Sequence, residues 1–259
     1  QLRHRPLFMI KIQVTLPDQS VKTIPSGATP QDIADSIGPR LAHDVVAANV
    51  NGNLVDLNLN LKENCTLKLL TGDTVEGHDV LLHSTAHLMA HAVKYLFPDV
   101  KITIGPTIEN GFYYDFDLDS TFSDEDLEKI ENKMRELANA GYDITRQELS
   151  KKDAIKLFTS MGEIYKVEII GQIDPEETIS AYTQDDFTDL CRGPHVSNTS
   201  KIKYFKLLNI SGAYWRGDEN NKMLQRIYGT VFSKKNELDR YLNMLDEAKQ
   251  RDHRKLGKE

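Results

Sequence analysis

The sequence predicts an α+β protein built from two domains, and three observations carry that expectation. At 259 residues the chain exceeds the usual length of one domain, with ample material for a buried core. Segments with strand periodicity and segments with helix periodicity are mixed without regular alternation, which disfavours a doubly wound parallel sheet. Around residues 71–78 the composition turns polar and a new pattern begins. The expected division is therefore a leader over 1–8, a small domain over 9–71, a larger domain over 72–233 and a connecting helix over 234–259.

In the small domain, residues 9–16 (MIKIQVTL) alternate apolar and polar side chains at period two, and residues 21–24 continue as a hairpin partner. Thr29-Pro30 reads as an N-cap followed by proline at the first helical position, and Gly38-Pro39 stops that helix. Asn51-Gly52 between apolar flanks predicts a second hairpin over 47–55, and residues 65–70 close the domain with another strand. The result is a small mixed sheet with one packed helix.

In the larger domain, residues 80–97 place apolar side chains at helical spacing up to Pro98. Residues 102–116 predict a hairpin around Glu109-Asn110-Gly111. Ser123 caps a helix reaching Gly141, a strand follows over 143–149, and Ser150 caps a helix ending at Gly162. Residues 163–170 form a further short helix bearing Tyr165 and Lys166. Short strands are expected at 179–183, 187–191, 204–210, 213–215 and 224–231, and a last amphipathic helix runs over 234–254 into a basic tail.

Composition narrows the function. A net charge of −7 argues against a protein that grips nucleic acid over its whole surface, but leaves room for a local basic face. Lys201, Lys203 and Lys206 cluster with Tyr204 and Phe205; such lysines are also ordinary on solvated strand edges. No apolar run reaches the roughly 18 residues of a membrane span, and no secretory h-region opens the chain. Two cysteines, Cys65 and Cys191, make no disulfide framework, so a reducing cytoplasm is the expected compartment.

The chemistry concentrates in His-Ser-Thr-Ala-His at 83–87 and Asp-Leu-Cys-Arg-Gly-Pro-His at 189–195. His83, His87 and His91 stand at i, i+4 and i+8 on one helix face. The zincin pattern needs Glu directly after the first His, and position 84 is Ser. His83, His87, Cys191 and His195 are thus a four-ligand zinc set, a pocket holding several bases, or two structural pairs. Gly193-Pro194 turns the chain between Cys191 and His195, and Asp189 projects from the same strand face as Cys191. Asp189 either fixes a histidine tautomer, orients a substrate amine, or is a solvated strand-end carboxylate. Lys166 is either a cationic oxyanion stabiliser or a solvent-facing helical lysine. Of Tyr113 and Tyr114, adjacent on a strand, one faces the core and the other faces away.

The helix HSTAHLMAHAV, the hairpin IGPTIENGFYYDF, the loop DLCRGPHV and the run GAYWRGDENNKMLQRIYGT resemble, in order, the amino-terminal half of bacterial-type threonyl-tRNA synthetases. The resemblance implies a TGS domain of ubiquitin-like β-grasp fold over about 9–70 and an editing domain over about 72–233. The run RDHRKLGKE resembles the linker before a class II catalytic core, so the chain is expected to edit without aminoacylating.

The activity so implied is hydrolysis of Ser-tRNA(Thr) to serine and tRNA(Thr). Serine lacks one methyl group of threonine, a difference worth only about 1–3 kcal/mol in a binding pocket, so a second pocket that excludes the larger product is useful. Carried over residue by residue, the family's pocket falls on His83 and Lys166 as catalytic groups and on His87, Tyr114, Asp189, Cys191 and His195 around the substrate. Asp189 is expected to meet the serine ammonium. No metal and no cofactor is expected here; ATP, a zinc-bearing core and a homodimer belong to the parent enzyme. The expected partner is tRNA(Thr) mischarged with serine, with no membrane. A zinc-dependent hydrolase using His83, His87, Cys191 and His195 and a non-catalytic tRNA-binding accessory module stand as the alternatives.

Overall fold

The computed structural model describes residues 10–258; the leader expected at 1–8 and the final Glu259 of the connecting segment lie outside them. The chain forms two compact units. One comprises the residues up to Val80 together with Gly193–Ser197, and the other comprises Leu81–Arg192 and the chain from Asn198 onward.

The first unit runs β1 (Lys11–Thr15), β2 (Val21–Pro25), α1 (Pro30–Ile37), α2 (Pro39–Asp44), β3 (Val45–Val50), β4 (Asn53–Val55) and β5 (Cys65–Thr71). Its sheet has the order β2-β1-β5-β3-β4, with β1 and β5 parallel and the other pairs antiparallel. A parallel pair cannot be closed by a tight turn, and here the chain between its strands carries α1, as the β-grasp expectation requires. Ile12 and Val14 of β1, Ile33 and Ala34 of α1, and Ala48 and Leu67 of the sheet share one buried core.

Helix α1 begins as its sequence predicts. The Thr29 hydroxyl accepts from the Asp32 N–H at 3.1 Å while the Asp32 carboxylate accepts from the Thr29 N–H at 2.9 Å, a reciprocal capping box. Helix α2 departs from expectation. Gly38-Pro39 reads as a stop, and it does end α1, but Pro39 then serves as the first residue of a new helical turn.

The second unit takes up α3 (Val75–Leu96) from Leu81 and continues through β6 (Lys101–Ile102), β7 (Thr107–Ile108), β8 (Gly111–Asp117), α4 (Asp124–Ala140), β9 (Thr145–Leu149), α5 (Lys151–Ser160) and α6 (Ile164–Gly171). It ends with β10 (Ile179–Gln184), β11 (Phe187–Leu190), β12 (Tyr204–Tyr214), β13 (Met223–Phe232) and α7 (Lys235–Leu256). Two sheets result, β11-β10-β9 and β12-β13-β8-β6, with β7 also pairing β8. Phe158 of α5, Ile170 of α6 and Ala181 of β10 are fully buried together.

Segments expected as two strands at 204–210 and 213–215 form the single strand β12, irregular only between Leu207 and Asn209, except that Trp215 already belongs to a 3-10 turn. Ser211-Gly212 reads as a break, yet both residues stay paired, with Arg226 and Gln225 of β13. The last helix, expected over 234–254, runs as α7 to Leu256, and its basic end is exposed.

Candidate functional site

Four elements of the second unit converge on one carboxylate, Asp189. Helix α3 supplies His83 and His87, β8 supplies Tyr114, α6 supplies Lys166, and β11 supplies Asp189 with Cys191 immediately after the strand. Strand β11 is registered on β10 by the Tyr182↔Asp189 pair, and the Cys191 N–H donates to the Ser180 carbonyl at 3.1 Å, so the positions of Asp189 and Cys191 are fixed by backbone pairing.

The Lys166 Nζ lies 2.7 Å from Asp189 Oδ1, and His87 Nδ1 lies 2.7 Å from Asp189 Oδ2. The Tyr114 hydroxyl donates to Asp189 Oδ2 at 2.8 Å and accepts from Lys166 Nζ at 3.0 Å. All four side chains are buried, Asp189 to 1 % exposure and Lys166 to 3 %. Lys166 is thus not a solvent-facing lysine. Of the two adjacent tyrosines, Tyr114 is the buried one, while Tyr113 carries the Arg226 guanidinium over its ring at 3.8 Å.

His83 stands at the edge of this network. Its Nε2 lies 2.7 Å from the Cys191 Sγ, and its ring meets that of His87 edge-on at 4.7 Å between centroids. Of the site residues it alone is half-exposed. The third histidine on the face, His91, does not join them: it pairs with Asp186 at 3.3 Å and Gln184 at 3.0 Å and stacks on Phe187, bracing the β10–β11 turn. His195 lies in the Gly193–Ser197 segment of the first unit, where it is buried and its N–H donates to Asp56 Oδ1 at 2.8 Å.

Two supporting residues were not singled out from the sequence. Lys94, eleven residues after His83 and so on the same helical face, donates to Glu163 Oε1 at 2.7 Å, and the Ile102 N–H donates to Glu163 Oε2 at 3.2 Å. Glu163 is buried at the residue before α6. This pair fixes the helix of His83 and His87 against the first turn of the helix that carries Lys166. The i+11 spacing could have identified Lys94; nothing near Glu163 could have identified its partner.

The charges respond strongly to this arrangement. Burial alone would raise the Asp189 carboxyl, but the Lys166 ammonium and the His87 imidazolium hold it well below the usual carboxylate range. Burial likewise pushes His87 down, and the charge and hydrogen bonding of Asp189, with a smaller contribution from Cys191, override it and set His87 at about 9. Burial and the Asp189 charge raise the Tyr114 phenol well above its ordinary value, so it stays a donor.

The pH dependence of stability follows from these charges. A histidine raised from 6.5 to about 9 contributes stability that is complete below pH 6.5 and disappears as pH climbs through 9. The depressed Asp189 contributes stability present above pH 3.8 and lost in acid. Stability should therefore be greatest between about pH 5 and 6.5. It should decline by of the order of 3 kcal/mol towards pH 9.5, since a tenfold change in proton affinity is worth about 1.36 kcal/mol. Urea midpoints measured across that range check it; a flat profile from pH 6.5 to 9.5 would show that His87 is neutral in the folded chain.

Tyr114 is packed as tightly as it is bonded. A Cβ on Gly105 would come within 2.3 Å of Tyr114 Cδ2 and 2.8 Å of Cε2. The ring cannot turn aside without leaving Asp189 and Lys166. Gly105→Ala should therefore cost about 1–3 kcal/mol, the usual range for overpacking, read as a fall in the urea midpoint.

His83, His87 and Cys191 also offer three potential metal-ligand atoms within 4.8 Å of one another. Two ligands on one tetrahedral zinc, at about 2.3 Å for sulfur and 2.0–2.1 Å for nitrogen, stand roughly 3.5 Å apart. The 2.7 Å between His83 Nε2 and Cys191 Sγ is a direct contact between the two side chains rather than that spacing. No helix among the described residues is long and apolar enough to cross a membrane.

Comparison with known proteins agrees with the architecture. Residues 12–71 match the TGS domain, and residues 179–228 match the threonyl and alanyl tRNA synthetase second additional domain. Over 251 residues, 97 % of its length, the chain is 55 % identical to a threonine–tRNA ligase of Pelobacter propionicus and 56 % identical to one of Citrifermentans bemidjiense. It is 54 % identical over 248 residues to a threonine–tRNA ligase of Geobacillus kaustophilus. The chain spans about 39 % of the length of the first two relatives and 38 % of the third. With its TGS domain and its synthetase second additional domain in sequence, and with this similarity along nearly its whole length, the chain belongs to the threonine–tRNA ligase family.

Proposed function

We propose that the second unit is an editing hydrolase that cleaves the ester of Ser-tRNA(Thr), releasing serine and tRNA(Thr). The observation that carries this reading is a buried network of fixed charge, Lys166–Asp189–His87 with Tyr114, that leads to one half-exposed base, His83. Ester hydrolysis needs an activated water, stabilisation of the oxyanion that forms, and a proton for the departing ribose oxygen. On this reading His83 takes a proton from the attacking water and returns it to the departing ribose oxygen as the ester C–O bond breaks. Lys166 supplies fixed positive charge in a water-poor setting, where such charge is most effective.

Asp189 is expected from the resemblance to meet the serine ammonium. Its two oxygens are already engaged by Lys166, His87 and Tyr114, and it is 1 % exposed. We therefore assign it to holding Lys166 and His87 in place and to keeping His87 charged. Cys191 orients His83 through the 2.7 Å contact and borders a cavity of about 270 Å³ with Ile169, Ile179, Leu190 and Arg192, where the substrate's terminal nucleoside can sit. His87, Tyr114 and His195 complete the assignment as pocket residues.

A crystal structure with a seryl-adenosine analogue, its ester replaced by an amide, tests these roles. The seryl carbonyl should lie within hydrogen-bond reach of a water held by His83, with Lys166 on the side of the carbonyl oxygen. An analogue bound away from both residues would refute the assignment.

Zinc-dependent hydrolysis by His83, His87, Cys191 and His195 is the second reading, favoured by the donor set and by Asp189 behind His87, as a carboxylate commonly stands behind a zinc-bound histidine. The direct contact of His83 with Cys191 argues for the metal-free reading. Under that reading, EDTA leaves serine release unchanged. A cytoplasmic setting and tRNA(Thr) as partner belong to the same proposal. Aminoacylation with ATP, a zinc-bearing core and a homodimer are properties we propose for the longer proteins of this family.

A further inference from the structure

On the second unit, an open groove of about 380 Å³ lies between α4 and the start of β12. Its polar lining is Arg135, Asn139, Ser200 and Lys203, over an apolar floor that includes Ile202 and Phe205, and no carboxylate lines it. In a chain of net charge −7 this is a local reversal of sign.

The cations are held in place from beneath. Glu131 is buried to 5 % exposure and accepts from the Leu207 N–H at 2.9 Å, from Arg135 Nη2 at 2.9 Å and from Lys206 Nζ at 3.2 Å. One carboxylate thus anchors two cations, which leaves a net positive charge there. The Arg135 guanidinium also donates to Asn132 Oδ1 at 3.0 Å and lies 5.7 Å from the centre of the Phe205 ring. It remains about half exposed, as does Lys206, and Lys203 is exposed beside them. A guanidinium orders several N–H donors in a fixed plane, which suits phosphate oxygens, and neighbouring amide and hydroxyl groups add donors of the kind that contact nucleic-acid backbones.

We infer that this groove binds the phosphodiester backbone of RNA and holds the body of the tRNA while its charged end is edited. The inference rests on the reading of the chain as acting on a charged tRNA. It assigns a surface, distinct from the hydrolytic residues, that contributes to binding and not to the chemical step. An acidic peptide is the competing occupant, but the family to which the chain belongs and the alternation of cations with neutral donors favour a sugar-phosphate chain.

The test compares the chain with Arg135→Gln/Lys203→Gln, with Lys203→Glu alone, and with Lys152→Gln as an exposed control. Lys203→Glu keeps the Glu131 anchors intact, and its urea midpoint, measured beside its affinity, separates binding from folding. Affinity for uncharged tRNA(Thr) is measured by fluorescence anisotropy at several salt concentrations. Each phosphate contact removed should lower the slope of log K against log salt by roughly 1. The double variant should weaken binding about tenfold or more and flatten the slope by roughly 2, Lys203→Glu should weaken it similarly, and the control should change neither.

In serine release from Ser-tRNA(Thr) the same variants should raise KM and leave kcat unchanged. Binding of uncharged tRNA that depends on these residues, in a chain that releases no serine, would sink the editing proposal and leave this surface standing. Absence of tRNA binding, or binding that the double variant and Lys203→Glu leave unchanged, overturns the inference. So does tighter binding of an acidic peptide than of tRNA at equal salt.

Discussion

Asp189→Asn should be among the most damaging single substitutions in the chain. The change keeps the shape of the side chain and removes only its charge, yet that charge faces the Lys166 ammonium and the His87 imidazole at 2.7 Å each, in a site from which water is nearly excluded. Breaking a buried ion pair from one side costs about 3–5 kcal/mol, because the partner is left uncompensated. The protein's response is to discharge a cation, and His87 is the one that can do so near neutrality, since without Asp189 its burial dominates and lowers its pKa. The melting temperature should fall by about 6–20 °C for a domain of this size. The pH dependence between 6.5 and 9.5 should vanish with it, because it originates in the same pair. If the melting temperature dropped while the pH profile stayed intact, the His87–Asp189 account would be wrong.

His83→Ala should do the opposite: little to stability and a great deal to catalysis. His83 is half-exposed and contacts Cys191 at the edge of the site, so its removal leaves the buried Lys166–Asp189–His87 network whole. General-base catalysis by one positioned side chain contributes typically 10²–10⁴-fold, and serine release should slow by about that factor. KM should change little, because the proposal assigns the ribose and the tRNA body to other residues. A variant that lost activity and melted early would place His83 among the structural residues instead.

These two residues also show what the sequence made legible. The spacing of His83 and His87 on one helix, and of Asp189 and Cys191 on and after one strand, was readable because both are local periodicities. The Thr29 cap of α1 and the Ser123 cap of α4 were readable from residue type at a helix start, while the reciprocal bond from Asp32 was not read. The convergence of these elements was not. Nothing local says that Lys166 is buried, that Tyr114 bridges it to Asp189, or that Glu163 meets Lys94 across 69 residues. Those contacts are products of packing: residue type and spacing singled out the residues one by one, and only the longer resemblance joined them into one pocket. The unexpected helix α2 and the unbroken β12 have a similar cause: Pro39 and Gly212 are punctuation by type, and the surrounding sheet and turn decided how each was used.

The central claim is that this cluster hydrolyses a seryl ester on tRNA(Thr). It is tested most directly by serine release from Ser-tRNA(Thr) under single-turnover conditions with EDTA present, using the chain and its His83→Ala variant side by side, and Thr-tRNA(Thr) as the comparison substrate. The account predicts rapid loss of serine with the chain, a rate lower by about 10²–10⁴-fold with the variant, and threonine largely retained. Serine release no faster than spontaneous hydrolysis, or equal rates for the chain and the variant, would contradict it.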